Sequence, residues 1–176
     1  MENKQDNPPP ATPAMEKMLS MLLLRLWLGL RSLVTGMEKF AGNRSSEEAV
    51  VIDGRPNEYG LTETATDKVY GISHYHGIPE PLLEKLKEEP LIPNFLLVMF
   101  DIALGPLLIL AGLMLLLGVA TRITLFAMGL IYTVLTAGLI FLAQDAGVAW
   151  LAVHIALIVL ALNHTRYNRF EWFHKQ

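Results

Sequence analysis

Long apolar runs separated by short polar connections dominate the second half of the chain. The runs 95–120, 123–142 and 148–163 approach or exceed the about 20 mostly apolar residues that span a bilayer at roughly 1.5 Å each. An earlier stretch, LSMLLLRLWLGLRSLVTGMEKF from residue 18, has similar apolar density but carries Arg25 and Arg31 within it. Those arginines, and the lack of a small-residue cleavage site after a clean apolar core, predict a retained helix rather than a removed secretory signal. Residues 120–122 and 144–147 are connections too short for anything but antiparallel neighbours. The pattern therefore predicts an all-α integral membrane protein: an antiparallel four-transmembrane-helix bundle, with a long extracytoplasmic insert between helices 1 and 2.

The chain divides accordingly. A flexible proline-rich tail occupies 1–17, transmembrane helix 1 spans 18–39, the insert runs 40–93, transmembrane helices 2–4 fill 94–164, and a basic aromatic tail closes 165–176. Within the insert, GRPNEYG and SHYHGIP are turn-rich punctuation. PEPLLEKLKEE places Leu82, Leu83 and Leu86 on one side of a helical wheel, predicting a short helix that lies on the membrane or caps the bundle. Arg122 sits in one short connection and Arg166, Arg169 and Lys175 follow the last span, whereas 144–147 offers only Asp145. The positive-inside bias places both termini in the cytoplasm and the insert outside.

Composition supports the membrane assignment and removes several chemistries. Hydrophobic residues make up 52% and charged residues 18%, with a mean hydropathy of +0.38. A formal net charge of −3 provides no broad basic surface for nucleic acid. The absence of cysteine removes disulfides, thiolate catalysis and Cys-ligated metal centres. No haem, flavin or metal motif is visible, and His74 and His76 in SHYHG read as solvated loop histidines.

The charges inside the apolar runs carry the candidate chemistry. Asp101 follows Pro93 by eight residues, about 12 Å along its helix, and Arg31 precedes Lys39 by the same interval. His154 lies six residues after Val148, about 9 Å along its own span. Charges at such depth face the interior and pair, so the expectation is an Arg31–Asp101 pair with His154 as a third member. The cluster is either a structural tie between helices 1 and 2 or a polar site for a quinone headgroup, proton or anion; in the second case Arg31, Asp101 and His154 are the candidate catalytic cluster, and Arg31, His154 and Tyr132 are the candidate contacts for a quinone headgroup. Arg25 is expected to snorkel to the inner headgroups. Thr133 and Thr136 extend a polar track beside Tyr132, or are satisfied within their own helix. Pro106 should free the Ile102 carbonyl and kink its helix beside Asp101, while Gly112 and Gly118 are read as packing residues.

RLWLGLRSLVTGMEKFAG, from Arg25 to Gly42, resembles the first helix of the DoxX family through Arg25, Gly29, Gly36 and Lys39. GLMLLLGVATR, from Gly112 to Arg122, is similar to that family's leucine run closing in Thr-Arg, and RYNRFE is a looser match to its C-terminal end. The acidic residue that the family often carries near the second-helix glycine falls at Leu108, two turns beyond Asp101. The resemblance implies a four-helix inner-membrane subunit, accessory or co-catalytic in a redox or respiratory complex and partnered by other membrane subunits or by itself. A quinone-linked oxidoreductase like thiosulfate:quinone oxidoreductase is the alternative, and an oligomeric small-solute transporter a third. Quinone is the one cofactor these readings admit.

The orientation is directly testable in this cysteine-free chain. A Ser46→Cys variant should react with a membrane-impermeant maleimide added to intact cells. Labelling only after lysis would invert the topology.

Overall fold

A computed structural model describes residues 13–52, 55–56 and 59–168. Four of its helices are long and apolar enough to cross a membrane: α1 (Pro13–Glu38), α3 (Asn94–Leu117), α4 (Thr121–Phe141) and α5 (Asp145–His164). α1 begins at Pro13, so residues 13–17 of the expected tail are helical; proline suits a first turn, where its missing N–H has no intrahelical role. The basic aromatic stretch beyond residue 168 lies outside the described residues.

Gly118 is buried and has a conformational role as well. It takes the left-handed conformation, φ 74°, and ends α3, with Val119 N–H reaching back to the Met114 carbonyl at 2.8 Å. This reverses the chain within a few residues and sets α4 antiparallel to α3.

Small residues seam α1 to α3. A Cβ at Gly112 would lie 2.5 Å from Leu33 N and 2.8 Å from the Gly29 carbonyl; one at Gly36 would lie 3.0 Å from the Gly105 carbonyl. Gly29 thus faces Gly112 and Gly36 faces Gly105, two glycine pairs with matched spacing on antiparallel helices. Between them the Ser32 hydroxyl donates to the Leu108 carbonyl at 2.8 Å. In lipid, where burying leucine gains little over leaving it in acyl chains, close backbone approach and interhelical hydrogen bonds hold helices together. The outer faces are accordingly apolar, with Leu23, Phe126 and Ile123 all exposed. Met21, Leu28, Leu115, Leu125 and Met128 fill the interior.

The insert contains strands that the hydropathy pattern does not announce. β1 (Ala41–Ala49) pairs antiparallel with β4 (Thr62–Tyr70), in register from Ala41↔Tyr70 to Ala49↔Thr62, and β2 (Val51–Ile52) pairs with β3 (Arg55–Pro56). Most of the β1–β4 residues are exposed on both faces, so no apolar alternation marks them. Lys68 and Tyr70 tie the hairpin base to Glu38. The amphipathic helix expected near Leu82 is α2 (Glu80–Glu88); it caps the bundle, burying Leu86 beside Gly138.

What docks the insert is a phenol inserted into α3. Pro106 has no N–H, so the Ile102 carbonyl loses its helical donor. The Tyr75 hydroxyl lies 2.9 Å from that carbonyl and 2.6 Å from the Asp101 carbonyl, and accepts the Gly105 N–H at 3.1 Å. Gly105 is required for this approach, because a Cβ there would sit 2.6 Å from the Tyr75 ring. Burial raises the Tyr75 pKa, against the opposing Gly105 hydrogen bond, which keeps the phenol protonated as a donor. Tyr75→Phe should destabilise the detergent-solubilised protein by about 1–3 kcal/mol. The cost should shrink in a Pro106→Ala background, where residue 106 again donates to Ile102; equal cost in both backgrounds, read by thermal unfolding, refutes the ladder repair.

Candidate functional site

Helical spacing brings one face of α1 and one of α5 to a common cavity. Arg31, Thr35 and Lys39 recur every fourth residue on or just past α1, and Trp150 and His154 are spaced likewise on α5, so each set shares a face. Together with Tyr132 of α4 they line a cavity of about 480 Å³ at the insert end of the bundle. Its other walls are apolar, including Phe100, Leu104 and Leu108 of α3, and Leu82 and Leu86 of α2 roof it. A volume of about 300–1,000 Å³ with a few convergent polar groups is the ordinary form of a small-molecule site.

The polar groups are gathered around two aromatic rings. The Arg31 guanidinium carbon stands 5.8 Å from the Trp150 ring centroid, and the Trp150 and His154 centroids are 5.3 Å apart. Tyr132 meets His154 edge-on at 5.8 Å. His154 is only 4% exposed; its Nδ1 lies 2.9 Å from the Trp150 carbonyl, while Nε2 is buried with no hydrogen-bond partner among the described residues. Arg31 also acts electrostatically on the Tyr132 phenol. At the cavity edge, burial lowers the Lys39 pKa, with the Asp101 carboxylate opposing that shift.

The expected Arg31–Asp101 pair does not form. Among the described residues the one close ion pair is Lys68–Glu38, and Asp101 is not among the cavity residues. Asp101 Oδ1 instead accepts the Ile78 N–H at 2.6 Å. Equal depth along two helices fixed the height of Arg31 and Asp101 but not their rotation about the helix axes. Asp101 turns toward the insert, and Arg31 turns toward α5. The cluster therefore splits: Arg31, His154 and Tyr132 share the cavity, and Asp101 anchors the turn above it.

Arg25 does not snorkel. It is 5% exposed, and its Nη1 donates to Asn168 Oδ1 at 3.0 Å; Asn168 Nδ2 continues to Thr121 Oγ1 at 2.9 Å. Arg122 Nε donates to Thr165 Oγ1 at 3.1 Å nearby, so the tail end of the bundle is closed by a polar network that includes the Thr121-Arg122 dipeptide. Thr133 and Thr136 bond the carbonyls one turn back, Gly129 and Tyr132, and leave no polar track. No group of three or more metal-ligating side chains occurs among the described residues.

Thr35, Lys39 and Trp150 were not singled out from the sequence as cavity residues, although their fourfold spacing from Arg31 and His154 is legible there. Tyr75 could have been sought as the donor that the Pro106-freed carbonyl requires. Comparison with protein-family models, curated proteins and solved structures found no match. The residues themselves define the class: a multi-pass helical membrane protein with four membrane-length helices and a hairpin-and-helix insert between the first two.

Separate roles for Asp101 and Arg31 make a quantitative prediction. Asp101→Ala should cost about 1–3 kcal/mol by stranding the Ile78 N–H. Combined with Arg31→Gln, the effects should add to within about 0.5 kcal/mol. A larger coupling in the double-mutant cycle would restore the direct pair.

Proposed function

We propose that the chain is a DoxX-like integral membrane subunit, accessory or co-catalytic in a redox complex, whose insert-end cavity receives the headgroup of a lipid-soluble quinone. The observation that carries this reading is the unsatisfied, buried Nε2 of His154 in the same cavity as the Arg31 guanidinium, among otherwise mostly apolar walls. Arg31 supplies donors for a headgroup oxygen, Tyr132 a hydroxyl, and Trp150 a flat surface against which a ring can lie. Apolar residues of α3 and α4 suit the substituents and the start of an isoprenoid tail.

The DoxX-like motif positions have roles compatible with that family reading. Gly29 and Gly36 support the α1–α3 seam, Lys39 stands at the cavity edge, and Arg25 shares the tail-end network with Thr121. The chain has no cysteine for an iron–sulfur centre, so electrons for quinone chemistry would come from a partner subunit or directly from another substrate. The hairpin, exposed on both faces beyond the helices, offers such a partner a contact on the outer side, with both termini in the cytoplasm.

A short-chain benzoquinone titrated into the protein in lipid nanodiscs should bind saturably. Arg31→Gln should weaken binding about tenfold through loss of one charged hydrogen bond. Gly138→Phe should weaken it by filling space, since a Cβ at Gly138 meets only Leu86, at 3.7 Å and beyond. Unchanged affinity in both variants, with normal assembly, removes the cavity as the quinone site.

A further inference from the structure

The hydrogen-bonding pattern of His154 restricts which form of a headgroup its cavity favours. Nδ1 faces the Trp150 carbonyl at 2.9 Å, and a carbonyl oxygen can only accept, so Nδ1 carries the proton of the neutral ring. Nε2 then presents a lone pair, buried and without a donor among the described residues. Protonating it would add positive charge to a cavity already lined by Arg31 and Lys39. The complement of this atom is therefore a ligand group that donates a hydrogen bond.

Oxidised and reduced quinones differ in that respect. Quinone presents carbonyl oxygens, which accept from Arg31 but oppose the Nε2 lone pair with lone pairs of their own. Addition of two electrons and two protons gives the quinol, whose hydroxyls both donate and accept. We infer that the cavity selects the quinol, with His154 Nε2 accepting a hydrogen bond from one hydroxyl while Arg31 serves an oxygen in either redox form. The inference rests on the quinone-headgroup reading above and deepens it: the site holds the reduced form and releases the oxidised one.

One buried hydrogen bond made by one form and not by the other corresponds to about tenfold in affinity. The test uses the full chain in lipid nanodiscs and one short-chain benzoquinone, titrated anaerobically as the oxidised compound and as the dithionite-reduced quinol. The quinol should bind about tenfold tighter, which raises the midpoint potential of the bound couple by about 30 mV. His154→Phe should abolish the preference through lost quinol affinity, whereas Arg31→Gln should weaken both forms and preserve their ratio. Thermal unfolding of each variant verifies that the fold persists.

The outcomes are separable. Saturable binding of both forms at equal affinity, or tighter binding of the quinone, overturns the selection while leaving the quinone-headgroup reading standing. A quinol preference that survives His154→Phe in a folded protein overturns the assignment to Nε2. No saturable binding of either form overturns both readings together.

Discussion

The glycine seam between α1 and α3 is the constraint on which the rest of the bundle depends. Gly29 against Gly112 and Gly36 against Gly105 bring two backbones so close that any side chain at Gly36 or Gly112 would strike backbone atoms. Lipid supplies no strong drive for leucines to seek one another, so this proximity and the Ser32–Leu108 hydrogen bond make α1 and α3 a unit. α4 and α5 form the second closely packed pair, and α3 meets α4 far less extensively. The cavity lies between the pairs at the insert end, where α2 closes it from above.

A defect in α3 is what fastens that roof. Pro106 removes a ladder donor, and Gly105 leaves room for the Tyr75 phenol that replaces it. Asp101 then holds the Ile78 N–H just before α2 begins. The insert is thereby attached to the membrane helix through its polar backbone groups, in a setting where an unsatisfied carbonyl is costly. Ile78 also lines the cavity, so the turn that Asp101 holds forms part of the cavity wall.

The two arginines of α1 show how the same residue is accommodated differently at the two ends. Arg25 is buried in a hydrogen-bonded network with Asn168, which also reaches Thr121, and it closes the tail end. Arg31, nearly two turns along, stands over Trp150 at the cavity. A guanidinium on an aromatic face keeps its N–H donors for a ligand oxygen, whereas Arg25 already serves a protein carbonyl-type oxygen. That contrast favours the Arg31 end as the functional one.

Span number, span order and the antiparallel arrangement were legible in the sequence because bilayer thickness and loop length fix them locally: 95–120, 123–142 and 148–163 become α3, α4 and α5 with shifts only at their ends. The carbonyl freed by Pro106 and the amphipathic α2 were likewise local properties. The hairpin was not legible, since strands wetted on both faces carry no apolar alternation. Nor was the partner of Asp101: sequence gives a residue's height along a helix, but the facing neighbour depends on rotation about the axis, which packing sets. Glycine contacts turned α1 so that Arg31 meets Trp150, while the Tyr75 insertion drew Asp101 toward Ile78. The apolar code determined a four-helix membrane bundle; the tertiary contacts decided which of its few polar atoms share a cavity.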